Sequence, residues 1–95
     1  MTDTSEVIIY KWMVATLRLK GTELILFAMI YDASTSGEHK FTGSLQYMAD
    51  CTNTTKAGVQ RALKALITKG YIEKHDVYRN KVKFCEYRVS KTLTG

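Results

Sequence analysis

Four side chains in the middle of the chain, Lys56, Gln60, Arg61 and Lys64, are spaced so that one helix would turn all of them to the same side. An amide can make two hydrogen bonds to adenine, and a guanidinium or ammonium can meet guanine or a phosphate. Their chemistry is therefore recognition of an anionic, base-bearing polymer rather than bond making. Thr55 and Lys56 stand where that helix begins, and free backbone N–H groups and the helix dipole favour a phosphate there. Thr55 reads equally well as a plain N-cap, which does not exclude such a contact. Ala57 and Gly58 are small enough for close approach to a groove. Gly58 costs about 1 kcal/mol inside a helix, so it permits either that approach or relief of crowding against a neighbouring helix. Further along, Lys74, Arg79, Asn80, Lys81 and Lys83 form a second basic set, suited to phosphates or a minor groove. Tyr78 among them reads either as packing within a hairpin or as a ring laid against a sugar-phosphate backbone.

The charge distribution agrees with this division. The 95 residues carry a formal charge of +5. Residues 1–53 hold four basic and six acidic side chains, whereas residues 54–83 hold eight basic side chains against Glu73 and Asp76. Positive charge is concentrated in the half bearing the recognition residues, as a polyanion binder requires.

Other chemistries find no support. His39 and His75 have no Cys or carboxylate at ligand spacing, so neither a metal site nor a cofactor is expected. Ser44 and the threonines have no His–acid arrangement around them, and no glycine-rich phosphate loop occurs, so no enzyme is expected. Cys51 and Cys85 read as small buried hydrophobes and as reduced thiols of a cytoplasmic protein. Met1–Glu6 is acidic and polar and shows no secretory signal. No apolar run approaches the ~20 residues that span a bilayer, so no membrane partner is expected.

The elements that must position the recognition residues can be read from periodicity. Val7–Tyr10 is β-prone, and Lys11–Leu17 suits one or two helical turns with Trp12 and Met13 inward. Gly21 breaks the pattern, and Thr22 caps a helix apolar almost all round, with Leu24, Phe27, Ala28, Ile30 and Tyr31 at helical spacing. Such a helix is either central or meets a partner subunit. A loop is expected over Asp32–Lys40, then a short extended segment at Phe41. Thr42 should cap a helix carrying Leu45, Met48 and Ala49, which ends in the turn Cys51–Thr54. The recognition helix spans 55–69: Val59, Ala62, Leu63, Leu66 and Ile67 form its apolar stripe, and Lys69-Gly70 closes it. Two strands follow, Tyr71–Val77 and Lys81–Val89, joined near Tyr78-Arg79-Asn80. The apolar phase shifts between Val82/Phe84 and Cys85/Tyr87/Val89, so the second strand either bulges or is buried on both faces at its far end. Lys91–Gly95 reads as frayed. The whole is one α+β domain over residues 1–95, ordered over about 7–90, with no internal repeat.

From Thr42 to Lys74, TGSLQYMADCTNTTKAGVQRALKALITKGYIEK resembles winged helix-turn-helix DNA-binding domains. The resemblance implies a three-helix core plus a C-terminal β-hairpin wing, over 71–89, that binds double-stranded DNA sequence-specifically. More narrowly, LKGTELILFAMIYDAS with FTGSLQYMADCTN is similar to the N-terminal domain of replication initiators and replisome organisers (DnaD-like proteins) of phages and mobile elements in Gram-positive bacteria. That similarity implies DNA replication initiation on the bacterial nucleoid, in the cytoplasm, and a replication or other host protein as partner. Such initiators continue into a further domain, so the chain is either their DNA-binding module or a small protein with another job. A transcriptional repressor of the same fold is the alternative within DNA binding. An interaction module, such as a phage-encoded inhibitor of a host protein, is the alternative outside it. A homodimer through Val7–Leu17 would double the DNA contacts.

Overall fold

The computed structural model describes residues 7–35 and 40–90. Four helices precede a two-stranded antiparallel hairpin, which makes a small α+β fold. Val7–Tyr10 forms no strand and is exposed. Helix α1, Lys11–Ala15, places Met13 fully inside the core and Trp12 edge-on to Phe27, with ring centres 5.9 Å apart. Arg18, at φ +59°, turns the chain toward the second helix.

Helix α2 spans Gly21–Thr35 and begins at Gly21, so Thr22 lies inside it rather than capping it. It is also longer than its polar end suggests. Asp32–Thr35, expected as loop, is helical, with the Thr35 hydroxyl donating to the Tyr31 carbonyl at 3.0 Å. Ser36–His39, the next part of that expected loop, lies outside the described residues, as do Met1–Glu6 and Lys91–Gly95. The apolar surround of α2 has an internal cause: it packs against α1, the third and fourth helices and the second strand. It is the central helix.

Helix α3 runs Leu45–Thr52 and is capped by Ser44, whose hydroxyl accepts from the Tyr47 N–H at 3.0 Å. Thr42, the expected cap, lies outside the helix. Cys51 and Thr52, expected in the turn, complete its last turn. Asn53 adopts left-handed geometry (φ +54°, ψ +47°) and ends it. Only Asn53–Thr55 separate α3 from α4.

Helix α4, Lys56–Thr68, has each terminal device its sequence advertises. Thr55 caps it, the hydroxyl accepting from the Gly58 N–H at 3.0 Å. At the other end Gly70 stands at φ +80°. Its N–H donates to the Ile67 carbonyl (2.9 Å), and the Tyr71 N–H to that of Leu66 (3.0 Å). This double bond pattern is a Schellman closure, for which a residue without Cβ is favoured. Val59, Ala62, Leu63 and Leu66 are buried as the stripe requires, but Ile67 remains 37% exposed at its edge.

Strands β1 (Ile72–Arg79) and β2 (Val82–Val89) pair in one unbroken register from Ile72↔Val89 to Arg79↔Val82. The connection is Asn80-Lys81, both at positive φ, the two-residue geometry that suits strand twist. Strand β1 therefore ends two residues later than expected, so Tyr78 and Arg79 belong to it, whereas β2 begins one residue later than expected, at Val82. With no bulge in the register, the phase shift in β2 comes from burial of both faces at the hairpin root. Tyr87 and Val89 enter the core on one face, and Glu86 is buried on the other. Phe41 bridges to Tyr87 through two backbone hydrogen bonds (2.8 and 2.9 Å), as its expected extended segment allows. The Ser34 hydroxyl accepts from the Val89 N–H at 2.9 Å and ties the end of α2 to the same root.

Candidate nucleic-acid interface

On α4 the residues singled out by spacing point away from the core. Lys56, Ala57, Gln60, Arg61 and Lys64 are exposed, and so is Thr55 at the helix start. Gly58 is half-buried, and its smallness has a local cause. A Cβ there would lie 2.7 Å from the Thr54 hydroxyl oxygen and 3.4 Å from that of Thr55. The crowding comes from the turn threonines, not from a side chain of α3.

These residues divide between two flanks. Gln60 and Lys64 border a groove of about 770 Å³, and Lys74 and Lys83 of the hairpin border it from the opposite side. Leu45, Met48, Leu63, Ile67 and Tyr87 contribute its apolar lining. Arg61 lies on the other flank, in a depression of about 320 Å³ that it shares with Gly58 and with Lys20 and Glu23 at the start of α2. Lys20 escaped sequence reasoning because it sits in the acidic half of the chain and only the fold carries it to α4. Arg79, Asn80 and Lys81 are exposed at the hairpin tip, remote from this division. Asn80 has a conformational duty there, since positive φ favours Asn and Gly.

Ion pairing sorts the cations further. Lys69 is held by Glu23 at 2.7 Å and Lys83 meets Asp76 at 3.7 Å. Lys56, Arg61, Lys64, Lys74, Arg79 and Lys81 have no ion-pair partner among the described residues. Of the cations unpaired among the described residues, these six lie within α4 and the hairpin, and Lys11, Arg18 and Lys20 lie outside them. Arginine and lysine left this way attract a polyanion and release its counterions on contact.

The acidic group of the region behaves differently. Glu86 is buried on the outer face of the hairpin root, 3.0 Å from the Lys40 Nζ and 3.6 Å from the Arg88 guanidinium. The Lys40 hydrogen bond, with help from Arg88, holds its carboxyl below the ordinary value although burial opposes this. Across the sheet, burial pushes the Tyr87 phenol up to about 12. Glu86 ties the hairpin root to the segment at Lys40, and Tyr87 is buried in the core beside Phe41.

Cys51 is exposed, not buried as expected, because the last turn of α3 presents it to solvent. Cys85 is half-buried, with its thiol 3.6 Å from Asp76 Oδ1. His75 lies 3.2 Å from Glu73, and His39 is outside the described residues. Among the described residues no group of three or more His, Cys, Asp or Glu is placed to hold a metal ion, and no helix is long and apolar enough to cross a membrane.

The class defined by these observations is a small α+β fold of four helices and an antiparallel hairpin, with an exposed, uncompensated basic surface over α4 and the hairpin. Comparison with protein-family models, with curated proteins and with solved structures gave no match to this chain.

Proposed function

We propose that the chain is a winged helix-turn-helix domain that binds double-stranded DNA, with α4 as recognition helix and the β1–β2 hairpin as wing. The observation that carries this reading is the outward, unpaired set Lys56, Arg61 and Lys64, with Gln60 among them, on a helix capped at both ends. An α-helix of about 10–12 Å diameter enters a major groove about 12 Å wide, and its N-terminal residues then reach the bases. Gln60 pairs with adenine, Arg61 with guanine, and Lys56 and Lys64 with phosphates. At the wing, Arg79 and Lys81 reach the neighbouring backbone. The role is recognition of an origin in phage or mobile-element replication, and a repressor's operator is the competing target. Electrophoretic shifts of duplexes at several salt concentrations test the binding. Retardation that weakens steeply with salt supports it, and no retardation of any duplex at low salt removes it.

A second surface supports self-association. Val7, Ile8, Ile9, Tyr10 and Val14 are each 41–48% exposed in one short stretch. Met13, by contrast, is committed to the core, so only part of the expected 7–17 interface is available. A dimer joined here would present two recognition helices to two half-sites. Light scattering on the free protein checks this: a monomer at high concentration counts against it.

A further inference from the structure

The groove between α4 and the hairpin has features that an intact duplex does not use. Its walls carry Gln60 and Lys64 on one side and Lys74 and Lys83 on the other, over an apolar floor that includes Leu63 and Ile67. Register places Lys74, Lys83 and Tyr78 on one face of the hairpin, because Lys74 pairs with Tyr87 and Tyr78 with Lys83. The root of that face enters the core through Ile72 and Tyr87, Lys83 lines the groove, and Tyr78 stands opposite Lys83 just outside that lining. There Tyr78 is 69% exposed, more than any other large hydrophobic side chain among the described residues. It is not spent on hairpin packing. Asp76 is the one carboxylate on this face, and Lys83 meets it at 3.7 Å, which leaves Lys64 and Lys74 unpaired among the described residues.

A duplex offers this surface phosphates and groove-side base edges but no open base face, since its bases are stacked on one another. A single strand offers phosphates and unstacked bases together, and proteins that hold one combine a basic track with aromatic platforms. An acidic peptide would satisfy the lysines but would give the open Tyr78 ring no flat partner. The geometry points to a single-strand site beside the duplex contacts of Gln60 and Lys64: the hairpin side of the groove receives unpaired nucleotides, with a phosphate on Lys74 and a base stacked on Tyr78. The site rests on the duplex reading only for where the strand comes from, namely a frayed or opened end of the DNA held by α4. The protein is then a reader of duplex–single-strand junctions.

Anisotropy titrations at one salt concentration test this with three probes: a blunt duplex, the same duplex carrying a short oligo-dT extension, and oligo-dT alone. The extension is expected to tighten binding roughly tenfold, as one base stacked on an aromatic ring can do. Tyr78→Ala should erase that gain, so that blunt and extended duplexes bind alike, whereas Tyr78→Phe should keep it. Oligo-dT binding that depends on Tyr78, in a protein that holds no blunt duplex, would support the groove site while removing the duplex reading. Equal affinity for blunt and extended duplexes overturns the proposal. So does a gain that survives Tyr78→Ala, or capture of an acidic peptide by a protein with no affinity for oligo-dT.

Discussion

Gln60 and Arg61 are adjacent in the chain yet lie toward opposite flanks of α4, Gln60 toward the hairpin and Arg61 toward Lys20 and the start of α2. Side chains so divided are expected to read different base pairs of one site. Arg61→Ala and Gln60→Ala should each cost about 1–3 kcal/mol at a single position and relax preference there, without touching the other. Titration of a panel of singly substituted duplexes measures this. Lys81 is the contrasting case, since it is exposed at the hairpin tip and carries no ion pair among the described residues. Lys81→Ala should weaken all duplexes alike and reduce the slope of log affinity against log salt by about one.

Helix α4 was legible in the sequence because independent local signals agree on it. The Thr55 cap, the stripe from Val59 to Leu66 and the Gly70 closure agree on one helix, and the cap and the closure each have their bonds in the structure. Thr55→Ala should therefore destabilise the protein by about 1 kcal/mol, seen as a lower urea midpoint, while Thr55→Ser should largely retain the cap. Where local signals compete, the sequence was ambiguous. Thr42 and Ser44 are both good caps two residues apart, and Ser44 is used. The polar run after Tyr31 resembles a loop, yet its first residues stay helical where Ser34 bonds the end of β2. What the sequence hid altogether depends on long-range contacts. Lys20 beside Arg61 is one such contact, and Lys40 over Glu86, 46 residues apart, is another. No periodicity announces that a glutamate in a strand will be buried by a lysine from a distant segment.

At the scale of the whole molecule, two titrating groups are buried at the hairpin root, and their shifts set opposite edges of a stability window. Glu86 binds its proton less tightly when folded, because Lys40 and Arg88 favour the carboxylate. Its contribution is present at neutral pH and is lost as pH falls below the ordinary value of 4.5. Tyr87 binds its proton more tightly when folded, so its contribution is present below pH 10 and is lost as pH rises toward about 12. Urea midpoints across this range should fall at both ends, and Glu86→Gln should flatten the acid side alone. Within the window the fold presents α4 and the hairpin together as one basic surface. The most direct test of that surface is duplex binding by the protein carrying Lys56→Glu, Arg61→Glu and Lys64→Glu, measured beside the unaltered chain over a range of salt. The unaltered chain should bind with a salt slope of roughly −4, since about four phosphates each contribute ~0.9, and the charge-reversed protein should fold normally and hold no duplex. Equal duplex affinity of the two proteins, or a flat salt response in the unaltered one, would contradict the assignment of α4 to DNA.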